Sequence, residues 1–535
     1  MAYVITQGCC NDGSCVPVCP VQCIRPRPGD PDFTHTEQLY IDPAACIDCG
    51  ACMDECPVEA IHPDWELPEN LSEYAEINSD YFETHPIAGA SVPSYTRRVL
   101  AEGHDSLRVA VVGSGPAGCY ATGLLSEIPG VTVSVLDRLP TPFGLIRAGV
   151  APDHVHTKSI SERFSRFLDR ANVDCFFNVE VGKDVSLQEL LDSHHAVIWA
   201  GGVGADRKLG RPGEDLDGVY SARDFVAWYN GHPDFADRAF DISGERAVIV
   251  GNGNVALDVA RTLLLPRDVL ARTDMSDRAI DALARSGVRE VVVVARRGPE
   301  HAAYSLGELL ALSNSGDISL AAEASEVAAA PDHGRRHDIL LRAAQKADAD
   351  DPAERVVRLR FGLEPVSIEG SERVRSITFR RSDGRLETIE TSAVFRAIGY
   401  RGLEVEGLPF DPLTATIPHN AGRVVEPRSD EEIPGVFCSG WIKRGPRGVI
   451  GTNKVDAMET VDSILQDLAA DRLTPPKNEQ QPLVDLLAAR GVDVVDKAAW
   501  KRIDAAEKER GRTQGRPRQK FLNFGELIDA ARGDK

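Results

Sequence analysis

The sequence lacks any apolar run approaching the roughly 18–20 residues that cross a bilayer, which excludes a helical membrane span as its organising feature. After Met1-Ala2-Tyr3-Val4-Ile5 it lacks the basic segment and apolar stretch of a secretory signal, so the expected location is cytoplasmic. It lacks positive charge in excess. With 60 lysines and arginines against 82 acids, the net charge of −22 argues against nucleic acid or an anionic membrane as the main partner. It also has little cysteine over most of its length: of 12 cysteines, only Cys119, Cys175 and Cys438 follow residue 56, each alone. That leaves no adjacent thiol pair for a flavin disulfide reductase.

Nine cysteines therefore crowd the first 56 residues of a 535-residue chain that is long enough for two to four domains. A disulfide framework suits a small exported domain. Nothing here signals export, so metal ligation is the better reading. The run Cys46-x2-Cys49-x2-Cys52-x3-Cys56-Pro57 has the spacing of bacterial iron–sulfur ferredoxins. Three thiolates on one tight loop seize three corners of a cubane, and the fourth, held by the following Pro, reaches a second cluster. Zinc ribbons instead pair two separate Cys-x2-Cys knuckles.

A shift of 37 residues superposes Cys46, Cys52, Cys56 and Pro57 on Cys9, Cys15, Cys19 and Pro20, and Tyr40-Ile41 on Tyr3-Val4. The module is thus an internal duplication with a pseudo-two-fold. In this register Cys10 and Cys23 are spare, and Cys49 falls on Asp12. Cluster one is expected on Cys9, Cys15 and Cys56, and cluster two on Cys46, Cys49, Cys52 and Cys19. Cluster two is a [4Fe-4S] site. For cluster one two occupancies are open: [3Fe-4S], or [4Fe-4S] with Asp12 as the fourth ligand. Asp12 as a simple cap of the following turn is the competing role. The prolines at 63, 68, 86 and 93 mark a tail and then a linker over 86–105.

Two dinucleotide motifs follow. The apolar strand at 107–112 runs into Gly113-Ser114-Gly115-Pro116-Ala117-Gly118 and a helical pattern, and the next strand ends in Asp137, 19 residues beyond Gly118. Glycines permit the tight turn and close approach to a pyrophosphate, and the acid accepts a ribose hydroxyl, which suits FAD. The second unit runs from Ala247 into Gly251-Asn252-Gly253-Asn254-Val255-Ala256, and its following strand ends in Arg296-Arg297 instead of an acid. Paired guanidiniums clamp a 2′-phosphate, so this nucleotide is expected to be NADPH. Two nucleotide folds, one for bound flavin and one for NADPH, imply hydride transfer followed by single-electron delivery.

The stretches Leu139 to Arg147, Val150 to His154, Gly251 to Arg261 and Gly440 to Asn453 resemble the adrenodoxin-reductase-type NADPH–ferredoxin reductases over about residues 106–535. With a seven-iron-like bacterial ferredoxin in front, the whole is similar to the mycobacterial type of fused ferredoxin/ferredoxin–NADP reductase. The resemblance implies an α+β ferredoxin module over 1–85, then an α/β two-dinucleotide-binding (Rossmann-like) flavoprotein. Its FAD domain takes 106–205 and 393–535, and its NADPH domain takes 206–392. FAD contacts are implied at Asp137, Leu145, Val181, Trp441, Gly448, Val449 and Ile450. NADPH contacts are implied at Arg207, Asn252, Gly253, Asn254, Val255, Arg296, Arg297, Glu308 and Gly448. His154 and Asp258 match positions linked to proton handling near the flavin. The implied electron partner is a ferredoxin or similar one-electron acceptor, such as a haem-thiolate monooxygenase system. The rival functions are an electron-input subunit of a larger NADPH-dependent synthase and a non-enzymatic redox sensor. The basic run 501–520 reads as a solvated face before it reads as a docking patch.

Overall fold

The computed structural model describes residues 1–87, 97–330, 334–348, 354–477 and 483–533. Residues 88–96 of the expected linker lie outside the described residues. Where the chain resumes it is bound, with Arg98 forking onto Asp462 at 2.6 and 3.0 Å.

The duplication in the N-terminal module extends to its backbone. The strand Tyr3–Ile5 pairs antiparallel with Ile61–Pro63, and Ile24–Arg25 with Tyr40–Ile41, the exchange that a two-fold between halves requires. Asn11, Gly13 and Gln22 adopt positive φ of 57, 70 and 54°, and 37 residues on Asp48, Gly50 and Glu59 adopt 57, 76 and 50°. Two of these positions accept a side chain in the left-handed region because Asn and Asp bond locally there. The buried amide of Asn78 then ties the halves together. Its Oδ1 accepts from the N–H groups of Ile5 and Ile41 at 3.2 and 2.9 Å, while its Nδ2 donates to the carbonyls of Ile5 and Tyr74.

The first α/β domain carries a seven-stranded sheet in the order 419–420, 423–425, 432–438, 196–199, 107–112, 131–137, 173–177. The five strands from 432–438 through 173–177 are parallel, and apolar on both faces as helices cover each side. The helix Pro116–Ser126 leaves the central strand with Pro at its first position, where a missing N–H costs nothing, and the long helix Thr452–Ala469 packs on it. The second domain is a six-stranded parallel sheet, ordered 219–221, 393–396, 246–250, 290–294, 356–360, 319–322, with an antiparallel three-stranded sheet of 363–370, 374–381 and 386–390 beside it. The two crossings between domains pair with each other as a short ribbon, Ala205–Asp206 against Tyr400–Arg401.

The strand Ala393–Arg396 corrects the expected division at 393. It inserts between 219–221 and 246–250 in the second domain's sheet, so the chain returns to the first domain only after it. The basic run is also corrected. Lys520 is buried and shares the buried carboxylate of Asp274 with Lys158, at 2.8 and 2.7 Å. Burial opposes the charge on Asp274, but the two ammonium groups outweigh it and hold the carboxyl well below its usual range. Glu507, fully buried, takes Arg147 at 2.5 Å and Arg518 at 3.1 Å. The end of the run therefore binds the two domains together, and only the exposed side of the helix Lys497–Arg512 is solvated.

Candidate functional site

Both glycine turns are built as their residue types demand. A Cβ on Gly113 would lie 2.5 Å from the Ala200 carbonyl, and one on Gly118 would lie 1.8 Å from the Gly113 carbonyl, whereas Gly115 has nothing within 4 Å. The first and third glycines serve packing, and the second leaves open space over the N-terminus of the helix Pro116–Ser126, as a pyrophosphate requires. The second turn repeats this. A Cβ on Gly251 would lie 2.2 Å from the Ala397 carbonyl, Gly253 is open, and the third position is the buried Ala256. Ala117 touches Gly440, which brings the segment Gly440-Trp441 onto the first turn. Both turns thus fit a dinucleotide.

Asp137 sits at its strand end, where Oδ2 accepts from Ser114 N–H and Oγ–H at 2.8 and 2.6 Å and Oδ1 accepts from Leu139 N–H at 2.9 Å. It fastens the turn, and a carboxylate has further acceptor capacity for a hydroxyl. Leu145 and Gly448 are exposed, and Val181, Trp441, Val449 and Ile450 are half-buried; Trp441 lies 5.4 Å from Tyr400. Arg296 and Arg297 are exposed just past the strand Glu290–Val294, and among the described residues neither has an ion-pair partner. They are free to take a phosphate. Asn254 Oδ1 accepts from Ser305 N–H at 2.8 Å, joining the second turn to the helix Leu306–Ser313. The Arg207 guanidinium donates to the Tyr400 carbonyl at 3.4 Å.

Next to this helix lies a polar cluster whose centre was not among the expected residues. Arg261, buried, donates to Asp153 at 2.7 Å, to Asp258 at 2.7 Å and to Glu308 at 3.3 Å, and its Nη2 lies 2.8 Å from His154 Nε2. One guanidinium thus faces three carboxylates and an imidazole. Burial pushes the Asp258 carboxyl up to about 6, against the pull of Arg261 and His154 and with the help of Glu308 and Asp153. The guanidinium occupies the centre of the cluster, so His154, Asp258 and Glu308 do not form a cation site. The signal for Arg261 was its place one turn from Asp258 on the helix Asn254–Leu264.

In the N-terminal module, Cys19, Cys46, Cys49 and Cys52 line one apolar pocket, a donor set that fits a cluster held by four thiolates. Cys23, spare in the register, approaches Cys19 Sγ at 3.5 Å. Cys9, Cys15 and Cys56 form the inner group. Burial pushes the Cys9 thiol up to about 11, and Cys56 adds to the rise. Metal binding would relieve this by replacing the protons. Asp12 lies between the left-handed Asn11 and Gly13 as Cys49 lies between the left-handed Asp48 and Gly50, but its carboxylate turns elsewhere. Oδ2 accepts from the Tyr120 phenol at 2.9 Å, and Oδ1 takes Ser14 Oγ–H and Arg163 at 3.4 Å. Ligand and turn cap were both open for Asp12; here both its oxygens have protein partners, Ser14 of the following turn among them.

The inner group lies against the first domain. Cys10 carbonyl accepts from Gly451 N–H at 2.7 Å, and Lys454 Nζ donates to the Asp12 carbonyl at 2.9 Å. A Cβ on Gly451 would lie 1.8 Å from the Asn11 carbonyl, so the loop rests directly on the backbone that follows Gly448 to Ile450. Other contacts reach the second domain: Glu37 accepts from Leu306 N–H at 2.7 Å and pairs with Arg336, and Arg335 pairs with Asp80 and Glu76.

Residues 39–62 match the 4Fe-4S binding domain family, and residues 111–165 match the NAD(P)-binding Rossmann-like domain family. A Mycobacterium leprae protein named "Probable ferredoxin/ferredoxin--NADP reductase" is 43% identical over 546 residues, covering 100% of this chain and 98% of the relative. The mitochondrial NADPH:adrenodoxin oxidoreductase of Salvelinus fontinalis is 40% identical over 462 residues, covering 80% of this chain and 92% of the relative. The solved structure of Mycobacterium tuberculosis FprA in complex with NADPH is 39% identical, covers 80% of this chain and all of its own, and superposes with a TM-score of 0.74.

Proposed function

The chain belongs to the ferredoxin/ferredoxin–NADP reductase family, and from that premise we propose that it oxidises NADPH and delivers the electrons singly through its own N-terminal module. The observation that carries the reading is the seat of the inner cysteine loop on Gly451, beside the stretch assigned to FAD. A bound flavin supplies the conversion from two-electron to one-electron chemistry, and bound clusters supply the one-electron carriers. The residues do the rest. Gly115 and Gly253 leave the approach for each pyrophosphate, and Arg296 and Arg297 hold the 2′-phosphate and so select NADPH over NADH. His154 and Asp258 handle a proton at the flavin, since a carboxyl near 6 changes state within the working pH range.

Cys19, Cys46, Cys49 and Cys52 hold a [4Fe-4S] cluster, and Cys9, Cys15 and Cys56 a [3Fe-4S] cluster, the partners of Asp12 favouring three ligands over four. The electrons leave to an external one-electron acceptor, a class that includes ferredoxins and haem-thiolate monooxygenases. No two cysteines among the described residues are joined as a disulfide, which suits the reducing cytoplasm. Among the described residues no helix is long and apolar enough to cross a membrane. Anaerobic titration of the purified holoprotein with NADPH tests the reading. Flavin and cluster absorbance should both fall with NADPH and not with equal NADH; flavin reduction with unchanged cluster bands would overturn it.

A further inference from the structure

We propose that electrons leave this chain at the face around Cys49, and that the protein docking there is a one-electron acceptor with an apolar centre and a cationic rim. This rests on the relay proposed above and names its exit. Within the acceptor class named above it selects cationic members over a second acidic ferredoxin.

The two cysteine groups differ in what covers them. The loop of the inner group meets the first domain at Gly451, Tyr120 and Lys454, with Cys15 buried and Cys9 and Cys56 half-buried. Of the outer group, Cys49 is exposed. Apolar side chains at the same cavity are also left in water, Ile47 at 58% exposure and Val21 at 38%. Tyr3, at the edge of Gly50, carries Trp65 edge-to-face at 6.2 Å, and Trp65 is 51% exposed. Single exposed apolar residues are ordinary, but a contiguous set over one opening marks an interaction site.

Charge selects the occupant. The acids Asp48 and Asp54 flank Cys49 and Cys52 on the outer loop. Asp54 and Glu55 are exposed at the end of the helix Ala51–Asp54. Residues 1–65 hold ten acids and two arginines. Both arginines are engaged elsewhere, Arg25 buried and Arg27 against Asp30 at 3.6 Å. An acidic partner meets like charge from these acids, whereas a lysine-rimmed partner is steered to them. Each NADPH oxidised yields NADP+, a proton and two electrons, so two acceptor molecules dock in succession and each gains one electron.

The test uses the holoprotein with two probes, cytochrome c (lysine-rimmed) and an acidic plant-type ferredoxin, and the variants Asp54→Lys/Glu55→Lys and Ile47→Gln. Affinity is measured by titration calorimetry at low and high salt, and contact by zero-length carboxyl–amine cross-linking read by mass spectrometry. Cytochrome c should bind, weaken with salt, cross-link at Asp48, Asp54 or Glu55, and lose at least about tenfold in affinity in the charge-reversed variant. Ile47→Gln should weaken it without changing the salt dependence. NADPH–ferricyanide turnover and the cluster spectrum should match wild type in both. Equal cytochrome c affinity across wild type and variants would overturn the proposal, as would tighter binding of the acidic ferredoxin at this face. If NADPH reduces the flavin but leaves the cluster bands oxidised, the relay reading has failed; if the clusters are reduced and binding is insensitive, only the docking face has failed.

Discussion

Asp12 Oδ2 accepts the phenol proton of Tyr120 at 2.9 Å across the boundary between the N-terminal module and the first domain. Arg163 and Lys454 add charge of the opposite sign at 3.4 and 3.7 Å. A position that the duplication reserves for a fourth thiolate thus fastens the module to the reductase.

Low-temperature EPR of the oxidised protein should accordingly show the signal of a three-iron cluster at Cys9, Cys15 and Cys56. Asp12→Cys should abolish that signal by completing a four-iron cluster. It should also lose about 1–3 kcal/mol of stability, because Tyr120 and Arg163 lose their buried acceptor. Tyr120→Phe should cost a similar amount with the cluster signal unchanged. A silent oxidised wild-type spectrum with eight irons per chain would show that Asp12 ligates after all.

Replacing Arg296 and Arg297 with Ala should lower kcat/KM for NADPH by on the order of two decades, since each charge-assisted bond is worth about 1.5–3 kcal/mol. The value for NADH should barely move. Equal losses with both nucleotides would make the arginines structural.

What could be read in the sequence was local. The 37-residue repeat, both glycine turns and the arginine pair each declare themselves within a few tens of residues, because spacing alone dictates their geometry. What escaped was long-range. Nothing near Asp12 announces Tyr120, 108 residues on, and nothing in the basic run announces that Lys520 will be buried against Asp274, 246 residues before it. The division at 393 failed for a related reason: an apolar parallel strand such as Ala393–Arg396 fits either sheet, and only pairing decides.

Asp258 makes stability and catalysis depend on pH in a definite sense. Its folded pKa of about 6 lies above the ordinary carboxylate value, so its contribution to stability is full below about pH 4 and is lost as pH rises through 6. Wild type should therefore lose on the order of 2 kcal/mol relative to Asp258→Asn between pH 4 and 7. The step near 6 in the wild-type rate of flavin reduction should disappear in the variant. A step that survives in Asp258→Asn belongs to another group.

A fragment from residue 97 onward should fold and hold FAD, because both nucleotide turns lie within it. It should reduce ferricyanide with NADPH and lack the cluster absorbance. Removing Glu37 uncaps Leu306 at the start of the helix that carries Glu308, a loss of about 1 kcal/mol that should appear as a lower melting temperature. Failure of the soluble fragment to retain FAD would show that the module completes the fold.

NADPH-derived electrons should pass from flavin to the chain's own clusters across the Gly451 contact. Anaerobic stopped-flow mixing with NADPH over a wide range of enzyme concentration tests it most directly. Cluster reduction should follow flavin reduction at a rate independent of enzyme concentration, as transfer within one chain requires. A rate that rises in proportion to enzyme concentration, or clusters that stay oxidised while the flavin is reduced, would contradict it.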